Sequence, residues 1–129
     1  AASTLDAIVS VANFLASHGW ETDSPIAAPA SVTGERFAEL INAGILPRFL
    51  PVEMIAYGVS PAADAPQQPC ALIDLGTPSG TTEYWLGYRN FYVITRYNRS
   101  SFYAMAVYTL SRELRAEREA RLAKGERLR

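Results

Sequence analysis

The chain has 129 residues, of which 49% are hydrophobic and 19% are charged, so it is large enough to bury the core of one modest domain. Its formal net charge of −1 gives no reason to expect nucleic acid as a partner, because proteins that bind nucleic acid usually carry a basic surface. No apolar run reaches the roughly 18 residues that a membrane-spanning helix needs, so no transmembrane segment is predicted. Cys70 is the only cysteine, and it predicts a half-buried structural thiol rather than a disulfide or a nucleophile.

The first predicted element is a helix that runs from about Thr4 or Asp6 to Ser17. Its apolar residues recur at helical spacing and form one stripe: Leu5, Ile8, Val9, Ala12 and Leu15. Asp6 suits the positive N-terminal end of this helix, and Gly19 provides a natural stop.

The segment from residue 20 to residue 90 is rich in proline and predicts a small antiparallel sheet. The strand candidates are residues 26–28, 54–59, 71–75 and 83–88, with a turn at 77–80 joining the last two. Residues 34–43 predict a short amphipathic helix, and residues 61–69 predict an exposed loop.

The last part of the chain predicts a strand, a polar corner and a long helix. Residues 91–95 are dense in β-branched and aromatic side chains, which favours a strand. Asn98, Ser100 and Ser101 could each accept a free backbone N–H, so we expect a helix to begin near Ser100. Residues at helical spacing continue it: Tyr103, Val107, Leu110 and Leu114. The tail beyond them has mixed charges and predicts a solvated helix end.

Three segments carry a family resemblance. They are residues 90–110 (NFYVITRYNRSSFYAMAVYTL), residues 6–20 (DAIVSVANFLASHGW) and residues 83–87 (EYWLG). Their sequence and order resemble the lytic murein transglycosylase B family, which comprises periplasmic enzymes that cleave bacterial peptidoglycan. The resemblance extends over most of the chain, to about residue 114.

The predicted fold class is α+β, with two core helices that bracket a small antiparallel sheet. The resemblance implies that these helices belong to a lysozyme-like core. The expected division is a core helix at 1–19, a β-rich subdomain at 20–90, and a strand end with the C-terminal core helix and charged tail at 91–129. Family members are about twice this length or more, and the half that precedes the first helix carries the catalytic glutamate. We expect that half to be absent here, so no catalytic residue is assigned.

The resemblance also implies the reaction and the groove. One glutamate acts first as acid and then as base, and the C6 hydroxyl of muramic acid attacks C1 to give a 1,6-anhydro product. Tyr97, Asn98 and Tyr103 match the positions where the family lines its saccharide groove. Phe14 stands where relatives frequently have tyrosine, so it could stack on a sugar but not donate a hydrogen bond. Read from the residues alone, the tyrosines are better explained as core aromatics and Asn98 as a helix cap. Phe14 could equally be packed in the core.

Other polar residues predict structural roles. His18 suits a helix cap or a solvent-facing position, Glu83 suits the surface, and Asn13 suits a buried hydrogen-bonding position. Arg96 and Arg99 could meet carboxylates of the peptide stem. We expect no metal or cofactor, since one histidine without a cysteine cluster does not make a zinc site. The expected partners are peptidoglycan glycan strands and the absent catalytic half. The resemblance implies a periplasmic enzyme, and it leaves open whether the full-length parent is soluble or an outer-membrane lipoprotein. The alternative function is a noncatalytic glycan-binding or scaffolding module.

Overall fold

The computed structural model describes residues 4–125, which fold as an α+β unit with a four-stranded antiparallel sheet. The helices are α1 (Thr4–Ser17), α2 (Phe37–Asn42), α3 (Pro51–Met54), α4 (Arg89–Tyr97) and α5 (Ser101–Ala123), with a 3₁₀ turn at Ile55–Tyr57. The strands are β1 (Ala27–Val32), β2 (Val59–Pro61), β3 (Cys70–Gly76) and β4 (Thr82–Tyr88). Residues 1–3 of the predicted first segment and 126–129 of the predicted tail lie outside the described residues.

The sheet has the strand order β2-β1-β4-β3, so β1 and β4 are its central strands. β3 and β4 form a hairpin in which Cys70 lies opposite Tyr88 and Gly76 lies opposite Thr82. At the hairpin tip, the Thr77 hydroxyl contacts those of Ser79 and Thr81 at 2.9 Å each. The predicted strands at 71–75 and 83–88 and the turn between them are therefore confirmed.

Both faces of the sheet are covered. One face packs against α2, α3 and the 3₁₀ turn, and its buried residues include Leu40, Met54 and Leu86. The other face packs against α4 and α5, where Ile73 and Phe91 belong to one buried cluster. Residues of β3 share this buried cluster with α4 and α5, and Leu15 of α1 packs against it while remaining partly exposed.

Residues 91–95, predicted as a strand, lie within the helix α4, so that prediction is wrong. β4 already pairs with β1 on one side and with β3 on the other, so a strand that follows it directly has no free edge beside it. Gly87 lets the chain fold back on itself, because a side chain there would collide with the ring of Phe91. Helix formation then pairs the backbone of a segment that is almost completely buried.

Residues 54–59 also differ from the predicted strand. Pro51 stands at the start of α3, where its missing N–H costs nothing, and the backbone N–H of Leu50 donates to the Glu53 carboxylate at 2.7 Å. The 3₁₀ turn follows and ends at Gly58, and the strand β2 comes only afterwards. Local capping thus outweighed the apolar pattern of this segment.

The two terminal helices expose their apolar stripes. In α1, no residue is buried, and the exposed fractions are 68% for Leu5, 60% for Ile8 and 48% for Val9. In α5, the exposed fractions are 61% for Phe102, 56% for Leu110 and 58% for Leu114. Leu15 in α1 and Tyr103 and Val107 in α5 pack partly against the core, whereas the apolar side chains with these exposed fractions remain largely uncovered within residues 4–125.

Candidate functional site

Four aromatic side chains form a continuous row where α1, α4 and α5 meet. The ring of Phe14 stacks on His18 with centroids 3.7 Å apart and lies edge-on to Tyr97 at 5.3 Å. The ring of Tyr97 is 6.1 Å from that of Tyr103. Tyr97 is 44% exposed, and Phe14 and Tyr103 are half-buried. We call these four residues the aromatic cluster.

Three helices position the side chains of the aromatic cluster. Phe14 lies in the last turns of α1, and Tyr97 is the final residue of α4. Tyr103 lies in the first turn of α5, where its backbone N–H donates to the hydroxyl of the N-cap residue Ser100 at 3.2 Å. The prediction that a helix begins near Ser100 is confirmed, and the structure brings Phe14 next to the two tyrosines from a position more than eighty residues earlier.

Asn98 lies at the bend between α4 and α5. Its backbone N–H donates the last helical hydrogen bond of α4 to the carbonyl of Ile94 at 3.0 Å, and its extended backbone, with a φ of −140°, ends the helix. Its Oδ1 accepts the N–H of Ser100 at 3.1 Å. The side chain is exposed, and its Nδ2 group has no hydrogen-bond partner within residues 4–125. Asn98 therefore shapes the corner and also presents a donor beside the aromatic cluster.

His18 belongs to the aromatic cluster, and the sequence did not indicate this. The sequence predicted only a helix cap or a solvent-facing position for it. Its Nδ1 is 2.7 Å from the carbonyl oxygen of Phe14, which can only accept, so Nδ1 carries the proton. Nε2 is then the free nitrogen of an exposed ring. Only the three-dimensional stacking on Phe14 makes this residue part of the site.

Asn90 is a second residue that sequence reasoning missed. Its side chain is fully buried, its Oδ1 accepts the N–H of Glu21 at 2.9 Å, and its Nδ2 donates to the carbonyls of Glu21 at 2.8 Å and Ser24 at 3.2 Å. These bonds tie the segment that follows α1 to the start of α4. The guanidinium of Arg89 adds a contact to the same segment, since its Nε donates to the carbonyl of Gly19 at 3.3 Å. Gly19 ends the first helix as predicted, with a φ of 100°.

The remaining polar candidates lie elsewhere. Asn13 is exposed, so the buried role expected for it is wrong, because α1 has no cover on that side. Glu83 is exposed as expected and accepts the indole N–H of Trp85 at 3.1 Å. Tyr88 is buried in the sheet, where its hydroxyl donates to the carbonyl of Pro66 at 2.8 Å.

The site contains aromatic surface and hydrogen-bonding groups but no buried acid. Every Asp and Glu among the described residues is exposed. A carboxylic acid that must hold its proton near neutral pH needs an apolar environment, and none of these side chains has one. The aromatic cluster can therefore bind and orient a ligand, but it holds no suitable proton donor.

The buried thiol of Cys70 lies outside the cluster. Burial, together with the negative charge of Glu53, raises the pKa of Cys70 from 9.0 to about 12, so the thiol stays protonated. Within residues 4–125, no three side chains of His, Cys, Asp or Glu come close enough to hold a metal ion. Among the same residues, no helix has the length and apolar character to cross a membrane.

Comparison of the chain with known proteins identifies its family. Residues 1–112 match the Transglycosylase SLT domain family, and the chain belongs to this family. The resemblance and the α+β fold class inferred from the sequence are both confirmed.

Three relatives illustrate the similarity. The chain is 39% identical over 115 residues to membrane-bound lytic murein transglycosylase B of Escherichia coli K12, a match that covers 82% of this chain and 28% of that protein. The crystal structure of soluble lytic transglycosylase SltB1 from Pseudomonas aeruginosa superposes with a TM-score of 0.70 at 38% identity, covering 92% of this chain and 39% of that one. The Escherichia coli lytic transglycosylase Slt35 in complex with bulgecin A gives a TM-score of 0.65 at 33% identity, covering 88% and 35%. The chain thus spans less than half the length of these relatives.

Proposed function

We propose that this chain forms one wall of the glycan groove of a bacterial peptidoglycan lytic transglycosylase. The reaction is cleavage of the β-1,4 bond between N-acetylmuramic acid and N-acetylglucosamine, with formation of 1,6-anhydro-N-acetylmuramic acid. The observation that carries this proposal is the aromatic cluster, a row of partly exposed rings at the corner that matches the family motif. Family membership supports the class of reaction.

The substrate-binding residues of this wall are Tyr97, Asn98, Tyr103 and Phe14. Aromatic faces suit the apolar face of a sugar ring, and phenol hydroxyls suit its polar edge. The free Nδ2 group of Asn98 can donate to an acetamido carbonyl or a sugar hydroxyl, and His18 Nε2 lies at the other end of the row. These groups would hold successive sugars against the corner of α4 and α5.

The proton donor comes from outside this chain. Every described acid is exposed, whereas the family resemblance implies a buried glutamate on a segment that precedes α1. The exposed apolar stripes of α1 and α5 support this division, because further protein packed there would cover them and approach the aromatic cluster. In this arrangement the chain is inactive alone, and residues 20–90 form a subdomain beside the shared core.

The chemistry explains what this wall contributes. The glutamate protonates the glycosidic oxygen as the bond to C1 breaks, then accepts the proton of the C6 hydroxyl while the C6 oxygen bonds to C1. Because no water takes part, the muramic acid must be held with its own hydroxyl over C1. Tyr97, Tyr103 and Asn98 would restrict the sugar to that orientation, and apolar rings beside the glutamate would help to keep it protonated.

The compartment and partners follow from the substrate. Peptidoglycan lies outside the cytoplasmic membrane, so we place the enzyme in the periplasm, with glycan strands and the segment that bears the glutamate as its partners. The alternative, a noncatalytic glycan-binding or scaffolding module, is not favoured, because the relatives are named as lytic transglycosylases.

The test uses purified murein sacculi. Three reactions are compared. The first contains the 129-residue chain alone, the second contains a separately purified N-terminal segment of a family member alone, and the third contains both. We expect 1,6-anhydromuropeptides, measured by liquid chromatography and mass spectrometry, only in the combined reaction. Product from this chain alone would contradict the assignment of the acid to another segment, and no product from the combination would contradict the proposed function.

A further inference from the structure

A groove of about 780 Å³ runs between α5 and the segments that surround the start of β1. One wall is formed by α5 from Tyr108 to Glu119, and the other by residues 23–29, with part of the loop 62–68. Its volume lies in the range of ligand sites. The groove is separate from the aromatic cluster: Arg112 follows Tyr103 by nine residues, which places the two on roughly opposite sides of α5.

Charges of both signs line this groove without neutralising one another. Arg112 and Arg115 extend from α5, with Glu119 one turn further along, and Asp23 and Asp64 lie on the other side. Among the described residues, no ion pair within 4.0 Å joins these opposing walls. Arg112 is held by Tyr108, whose hydroxyl accepts from Nη1 at 3.3 Å.

Both walls are tied to the core before any ligand arrives. The carbonyl of Ser24 accepts from the buried Asn90 side chain at 3.2 Å, and the carbonyl of Pro66 accepts from the buried Tyr88 hydroxyl at 2.8 Å. Tyr108 packs edge-on to Trp85 with ring centroids 5.5 Å apart. A site that is fixed in advance loses less conformational freedom on binding.

We propose that this groove binds an extended peptide that carries both carboxylates and an ammonium group, and that this peptide is the stem of peptidoglycan. The two arginines would bind carboxylates, and Asp23 and Asp64 would bind the ammonium group. The α5 wall is roughly 17 Å long, which accommodates four or five extended residues. The choice of stem peptide rests on the proposed function, whereas the charge pattern does not. Arg115 and Glu119 lie beyond the residues matched to the family, whereas Asp23, Asp64 and Arg112 lie within them.

The experiment measures binding of a synthetic stem tetrapeptide to the complete 129-residue chain by NMR titration. We expect shifts at Asp23, Asp64 and Arg115, and an affinity that falls as salt is added. Arg115→Gln and Asp64→Asn should each weaken binding roughly tenfold or more, since each removes a charge-assisted hydrogen bond. The matched control is Arg118→Gln, on the same helix but outside the groove lining, and it should bind like the unaltered chain.

Two results would overturn the inference: no binding at millimolar peptide, or equal weakening by Arg115→Gln and Arg118→Gln. A parallel titration with a peptide-free N-acetylglucosamine tetrasaccharide separates this inference from the proposed function. If the saccharide shifts Tyr97 and Tyr103 while the peptide does not bind, the groove inference fails alone. If the peptide binds as described while the saccharide leaves the cluster unchanged, the charged groove stands and the glycan wall fails.

Discussion

Tyr103 has a half-buried ring, and we propose that its hydroxyl contacts the sugar, so removing the hydroxyl tests this role directly. In an enzyme assembled with the catalytic segment, Tyr103→Phe should lower kcat/KM roughly tenfold, because one hydrogen bond to the sugar is lost. Asn98→Ala should act in the same direction. For Tyr103→Phe, the free energy of unfolding should change by less than about 0.5 kcal/mol.

The matched control for that variant is Tyr57→Phe, which also removes a tyrosine hydroxyl but lies on the opposite face of the sheet under Arg36. Turnover and thermal unfolding are measured on the same preparations. Parallel losses of activity and stability in Tyr103→Phe would instead support plain core packing.

Asn90 has a different task, since its buried amide links the segment after α1 to α4. Asn90→Ala should lower the free energy of unfolding by about 2–4 kcal/mol, because it leaves the N–H of Glu21 and two carbonyls without their partner. The exposed Asn13→Ala is the control, with a change of less than about 0.5 kcal/mol. Urea unfolding followed by circular dichroism measures both, and similar values for the two variants would rule out this role for Asn90.

At the scale of elements, the end of the β3–β4 ladder places two ionisable groups in the core. Cys70 lies opposite Tyr88, and burial raises the pKa of each, that of Tyr88 further through the charges of Cys70 and Asp64. Below pH 9.0 the Cys70 thiol is mostly protonated in both the folded and the unfolded chain. Between pH 9.0 and about 12, only the unfolded chain releases the proton, so unfolding becomes more favourable as the pH rises.

We therefore expect the free energy of unfolding to fall between about pH 9 and pH 10 in the unaltered chain, and to fall less steeply in Cys70→Ala. Urea titrations at several pH values measure the slope, which is independent of any constant loss from the smaller side chain. An identical slope in both proteins would show that the thiol does not control the alkaline response.

The secondary-structure predictions failed where the local side-chain pattern disagreed with the tertiary surroundings of the segment. Residues 91–95 have the composition of a strand, but both edges of the preceding strand are occupied, so they form a helix. The strands at 71–75 and 83–88 were predictable because a turn of Thr, Pro, Ser and Gly joins two apolar runs. Local sequence was enough to predict the two strands of a hairpin. It was not enough to predict residues 91–95, whose conformation depends on the arrangement of the whole sheet.

At the scale of the whole molecule, the question is whether the exposed apolar stripe of α1 is an interface for further protein or a solvent-exposed surface. Ile8→Gln should leave the free energy of unfolding of the isolated chain within about 0.5 kcal/mol, because the side chain is already 60% exposed. It should weaken association with the N-terminal segment roughly tenfold or more, because burial of an isoleucine there would be lost.

Ser10→Gln is the control for the opposite side of the same helix, because two residues along an α-helix turn by about 200°. Ser10 is exposed, and this change should affect neither quantity. Calorimetric titration of the two segments measures the affinity. Equal affinities for Ile8→Gln and the unaltered chain would show that the stripe faces something other than the catalytic segment.

The amino-acid sequence by itself determined the family, the α+β class, the two terminal helices and the Ser100 cap, because each depends on residues that are close together in the chain. Only the tertiary structure decided that residues 91–95 are helical, that Asn90 holds the segment after α1, and that Phe14 and His18 meet Tyr97 and Tyr103 in one row. The physical reason is that these features depend on which strand edges are free and on contacts between residues far apart in the chain. No local pattern of side chains specifies such contacts.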